Sequence, residues 1–143
     1  MIDVKKKYVL AVAGAILSAI MITTAWKDKP AESQKKVREA NLMLYKSRYE
    51  ESRQLFKEAT RLDPQNAEAW YGIGVTWMNH QRYEKAIEYF THAIELKQDY
   101  TDAFYNRGQA WFYMGEVYKA CDDWTRAWEL GKPNMEDKLK KCD

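Results

Sequence analysis

The chain has 143 residues, 46% of them hydrophobic and 31% charged, which suits one compact domain with a short appendage and excludes a disordered chain. Its formal charge is only +2 and its basic residues are spread along the sequence, so there is no electrostatic footprint for nucleic acid. Six glycines and three prolines point to helices with few turns, and two cysteines are too few for a disulfide scaffold or a cysteine zinc site.

Residues 1–26 form the first segment. Lys5, Lys6 and Lys7 precede an uncharged run from Tyr8 to Trp26. As a helix this run spans about 28 Å, close to one hydrocarbon core. Tyr8 and Trp26 stand at its ends, where aromatic rings prefer the membrane interface. Ala11, Ala15 and Ala19 recur every fourth residue beside Gly14 and Ser18, a small-residue stripe suited to close packing of transmembrane helices. The run is read as a single-pass anchor, with the amino terminus inside and the following domain on the exported, periplasmic side. A cleavable signal ending at Thr23-Thr24-Ala25 is the competing reading and would release a soluble exported protein.

Residues 27–32 are a polar linker containing Pro30, and from Ser33 the chain is continuously amphipathic at helical spacing. One fixed period sets three blocks of equal length in register without insertion: 33–66, 67–100 and 101–134. The middle block carries Trp70, Ile73, Gly74, Trp77, Ala86, Phe90 and Ala93. The third carries Phe104, Arg107, Gly108, Trp111, Ala120, Trp124 and Ala127 at the same positions. The first is a weaker copy, with Lys36, Glu39, Ala40, Met43, Ser52, Phe56 and Ala59. Ala40, Gly74 and Gly108 are small where two helices of one block would meet, and Phe56, Phe90 and Trp124 are large enough to fill the seams. Asp63-Pro64-Gln65-Asn66 closes the first block, since proline cannot continue a helix interior. The junction at Gln98-Asp99-Tyr100 lacks proline, so the helix before it is expected to run on. Residues 135–143 read as a capping helix, with Met135 and Leu139 inward and Lys138, Lys140 and Lys141 toward water.

These blocks resemble tetratricopeptide (TPR) repeats, whose W-x-x-L-G-x-x-Y…A-x-x-x-F-x-x-A pattern the middle block follows. The resemblance covers 33–134 and implies an all-α fold: three helix-turn-helix repeats in a short α-solenoid with a C-terminal capping helix, preceded by one transmembrane helix. It also implies a concave face lined by the first helix of each repeat. The residues expected to bind a partner there are Val37, Asn41, Leu44 and Tyr45, then Tyr71, Val75 and Met78, then Tyr105, Gln109, Phe112 and Tyr113. Glu68 and Asp102 would give this aromatic groove an acidic rim, suited to a helix or extended peptide with apolar anchors and a flanking basic residue. Chaperone-binding members hold a C-terminal carboxylate with two lysines, two asparagines and an arginine. The corresponding positions here are Val37, Asn41, Gly72, Asp102 and Asn106, of which only Asn41 agrees, so binding to chaperone tails is not expected.

Cys121 faces the next helix, and Cys142 lies on the cap one turn beyond Leu139. In an exported domain the two would pair, and in the cytoplasm they would remain free thiols. Nothing in the chain invites catalysis. His80 and His92 fall on different helices with no Cys or carboxylate at metal spacing, Asp122-Asp123 reads as a solvated face, and Gly72-x-Gly74 lies inside a repeat helix. The expectation is a non-enzymatic scaffold or adaptor without cofactor, metal or small-molecule substrate. Its partner would be a membrane-bound or membrane-proximal protein. A receptor that transiently binds targeting peptides is the alternative.

Overall fold

The computed structural model describes residues 28–142, which are helical with no strand among them. The segment read as an anchor, including Ala11, Gly14, Ala15, Ser18 and Ala19, lies outside the described residues. Among the described residues, no helix is long and apolar enough to cross a membrane.

Seven helices follow in chain order: α1 Lys29–Tyr45, α2 Tyr49–Leu62, α3 Ala67–Asn79, α4 Tyr83–Leu96, α5 Thr101–Tyr113, α6 Val117–Glu129 and α7 Glu136–Leu139. The first six pair as α1/α2, α3/α4 and α5/α6, one pair per sequence block. Three expected boundaries move, the first being the capping helix, read over 135–143 and helical only at Glu136–Leu139. Helix α1 begins at Lys29, so Lys29–Glu32 of the stretch read as linker form its first turn. Pro30 is tolerated there because a first-turn residue has no intrahelical acceptor for its missing N–H. Helix α4 does not run on past its proline-free junction. It stops at Leu96, the repeat equivalent of Leu62, and Lys97 is extended (φ −138°, ψ 94°) just as Asp63 is (φ −139°, ψ 97°). The amide of Tyr100 donates to Lys97 O at 3.1 Å, as Asn66 does to Asp63 O, so backbone bonds and packing set this turn without proline.

The turns inside the repeats are equally alike. Ser47, Gln81 and Gly115 occupy one repeat position and all have positive φ, at 56°, 56° and 83°. In each, the next residue's amide reaches back toward the end of the first helix: Arg48 to Met43 O, Arg82 to Trp77 O and Glu116 to Trp111 O, at 2.9, 3.0 and 2.9 Å. This is the six-to-one bond of a Schellman motif, which satisfies helix-end carbonyls.

The core is built from small residues facing large ones. Phe56, Phe90 and Trp124 are fully buried, as are Ala40, Ala86 and Ala120. A Cβ on Gly74 would lie 2.6 Å from the Phe90 ring, and one on Gly108 would lie 2.7 Å from Trp124, distances no packed carbon sustains. Gly72 is tighter still, with Phe56 of the preceding repeat 2.2 Å from its missing Cβ. The seam between the first two repeats is also bolted by polar groups. Ser33 Oγ donates to Ala59 O at 2.9 Å and accepts from Asn66 Nδ2 at 2.9 Å, while Asn66 Oδ1 caps α3 at Ala69 N.

One pairing runs against the sequence expectation. Asp123 is not on a solvated face; it is 5% exposed and receives two hydrogen bonds from Arg107, at 2.7 and 2.8 Å. Arg107 also donates to Thr91 Oγ1 at 3.0 Å, which ties α5 to both α4 and α6. Burial pushes the Asp123 carboxyl above its ordinary range, while Arg107 pulls the other way.

Candidate functional site

The curvature of the solenoid follows from which helices touch. The backbones of successive first helices approach each other, α1 with α3 and α3 with α5, whereas the backbones of α2, α4 and α6 stay apart. The first helices therefore form the inner, concave row and the second helices fan out behind them. Side chains cross this inner row. Gln34 Nε2 and Asn41 Nδ2 of α1 both donate to the Glu68 carboxylate of α3, at 3.0 and 3.3 Å. Asn106 Nδ2 of α5 donates to the Tyr71 hydroxyl of α3 at 2.6 Å.

The residues expected in the groove divide into three groups. Val37 is fully buried among Phe56, Ala59 and Ile73, so it offers a partner nothing; its apolar side chain follows the inward stripe of α1. Tyr71 is half-buried, tilted against Phe90 at 5.6 Å and Tyr100 at 5.0 Å, and works mainly as a seam residue. Burial, with smaller help from Asp102, pushes its phenol up to about 12 despite the bond from Asn106. Tyr100 is pushed up as well, by burial first and Tyr71 next.

The second group presents surface. Leu44, Val75 and Met78 are half-buried on α1 and α3, Asn41 is exposed beside Glu68, and Tyr45 is 88% exposed at the end of α1. Tyr113 stacks on Tyr83 at 5.1 Å, and the two rings line a crevice of about 500 Å³ with Met78, Asn79 and Gln81.

The third group is already partly covered. Tyr105, Gln109 and Phe112 of α5 lie under lysines of the terminal segment. Lys138 donates to Gln109 Oε1 at 2.6 Å and sits 5.8 Å from the Tyr105 ring, and Lys141 stands 4.8 Å from Phe112. Lys132 stands 4.9 Å from Tyr105 and pairs with Asp102 at 2.5 Å, which neutralises half of the expected acidic rim. The inward turn of Lys138, which is half-buried, corrects the expectation that it faces water, whereas Lys140 and Lys141 are exposed as expected. The signal that places Lys138 is present in the spacing: it lies one turn after buried Met135 and one turn before Cys142, which is bonded to Cys121 across a Cα separation of 5.6 Å.

Residues 37–101 match the tetratricopeptide repeat family model. The solenoid is a tetratricopeptide-repeat fold. No curated protein matches the chain. Among solved structures, it is similar to the second TPR of Spaghetti (RPAP3) bound to the HSP90 peptide SRMEEVD, at 24% identity, covering 75% of this chain and 98% of that one with a TM-score of 0.72. The first TPR domain of human RPAP3 is 21% identical over 78% of this chain and 90% of that one, TM-score 0.74. The Arabidopsis OM64 TPR domain is 18% identical over 80% and 99%, also at 0.74.

The positions that would make a chaperone clamp are occupied otherwise in this TPR solenoid. Val37 is buried, Asn41 is held by Glu68, Asp102 is paired with Lys132 and Asn106 is committed to Tyr71.

Proposed function

We propose that the chain is a membrane-anchored TPR adaptor subunit that holds a protein partner on its concave row. The observation that carries this reading is the run of half-buried apolar side chains on successive inner helices, Leu44 on α1 and Val75 and Met78 on α3, beside exposed Tyr45. Half-buried apolar groups in a concave, helix-lined face are what a peptide or helix with apolar anchors requires. The likeness to a TPR domain carrying a bound peptide supports this use of the face.

The anchor rests on the sequence of residues 8–26. Only Lys27 and Asp28 separate Trp26 from α1, so an anchored chain would hold its first repeat against the bilayer surface. A partner in or near the same membrane would then bind at raised effective concentration without added contacts.

Extraction of native membranes in mild detergent should recover the full chain with a protein partner in fixed ratio. Recovery of the chain alone, with weak binding to many peptides, would replace the subunit by a transient peptide receptor. A mature amino terminus at Trp26 would remove the anchor and leave an exported soluble TPR protein.

A further inference from the structure

We infer that Lys138 and Lys141, held over the aromatic end of the third repeat, form a binding site for the carboxylate side chains of an acidic peptide segment. The inference deepens the proposed groove reading and rests on it: the site is the α5 end of the same concave row.

Among the described residues, the two ammonium groups have no acid of their own. Neither Lys138 nor Lys141 forms an ion pair among the described residues. Nearby carboxylates are engaged elsewhere, Asp102 with Lys132 at 2.5 Å and Asp137 with Lys140 at 3.6 Å. Two cations are thus gathered at one end of the groove without a counter-charge among the described residues.

Lys138 is also positioned rather than free. Lys138 spends one donor on Gln109 and lies 5.1 Å from the Trp124 ring, which leaves its other two N–H groups for a ligand. Lys141 is set against Phe112. Helix α7 is a single turn and could not hold this arrangement alone. Buried Met135 fixes its start, and the Cys121–Cys142 bond fixes the chain immediately past Lys141. Burial, and next the charge of Lys141, hold the Lys138 ammonium below its ordinary pKa. An arriving carboxylate would relieve the repulsion, and an apolar neighbour in the ligand would meet Tyr105 and Phe112. Ring faces beside ammonium groups suit a segment that mixes glutamate or aspartate with leucine-like residues.

The test uses the oxidised full chain in nonionic detergent and fluorescence anisotropy. The probe is a short, end-blocked peptide alternating glutamate with leucine; its twin carries glutamine for every glutamate. The glutamate peptide should bind about tenfold more tightly at low salt. Lys138→Gln with Lys141→Gln should erase that preference while leaving affinity for the glutamine twin unchanged. Equal affinity for the two peptides, no binding of the glutamate peptide, or a preference that survives in the double variant would overturn the site. Displacement by glycerophosphoserine at concentrations where free glutamate does nothing would reassign it to a lipid headgroup. Val75→Glu separates the two levels. Loss of both peptides in that variant supports the groove, whereas retention of both alongside a lysine-dependent preference removes the groove and keeps the lysine site.

Discussion

The Lys138 ammonium donates to the side-chain carbonyl of Gln109 across 2.6 Å, joining the short terminal helix to the inner helix of the third repeat. The backbone of α7 rests on α6, so α5 is reached by side chains alone. The concave row therefore differs at its two ends. Near α1 it presents Asn41, Leu44 and Tyr45, and near α5 it is overlaid by lysines from the chain's own terminus.

The Cys121–Cys142 bond, which spans 21 residues, closes the chain immediately past that overlay. Closing a loop of this size contributes about 3 kcal/mol where the closed chain unfolds as a unit. Cys142→Ser should lose up to that amount in urea unfolding, and dithiothreitol should bring the wild type down to the same stability. A variant as stable as the oxidised wild type would show that α7 is held by Met135 and Leu139 without the bond.

Gly72 has the least room for a Cβ of the glycines in the described residues. Alanine gains about 1 kcal/mol of helix propensity over glycine. Here its Cβ would meet the fully buried Phe56 ring at 2.2 Å. Overpacking of this kind costs about 3 kcal/mol at the upper end of its range, so Gly72→Ala should destabilise by about 2 kcal/mol, read from the urea midpoint.

Ser47 and Gln81 hold the left-handed conformation that Gly115 supplies at the same place in the third repeat. A side chain there costs about 1 kcal/mol. Ser47→Gly and Gln81→Gly should each raise stability by a little under that, since glycine also loosens the unfolded chain. Gly115→Ala should lower it, and thermal melts of the three variants give the comparison.

Tyr71 predicts a loss of stability at alkaline pH. Its phenol is pushed up from 10.0 to about 12 in the fold, so the folded chain holds the proton more tightly than the unfolded chain. The stability this contributes is complete below pH 10 and disappears as pH rises through about 12. Melting temperatures should fall less between pH 10 and 12 for Tyr71→Phe than for the wild type, and the late phenolate absorbance step should shrink.

The repeat period is legible because it is written in size: glycine or alanine at one position and a large ring at another recur at the same place in every block. The concave row is legible only in outline. Val37 occupies a groove position by family register yet lies in the core, packed in one cluster with Phe56, Ala59 and Ile73. Asp123 looks solvated beside Asp122 in the sequence, since its partner Arg107 is 16 residues away on another helix and no local pattern links them. Lys138 is harder still. Its orientation is set by a crosslink and a buried methionine on either side, and a lysine's long stem lets its charge cross to a neighbouring helix.

Partner capture from native membranes tests the concave row most directly. Full-length chain carrying Val75→Glu and Met78→Glu should lose its copurifying protein while its helicity and melting temperature stay near those of the wild type. Tyr118→Glu, at a side chain 90% exposed on the outer helix α6, should retain it. Retention by the inner-row variant together with loss in Tyr118→Glu would contradict binding on the concave row and move recognition to the outer helices.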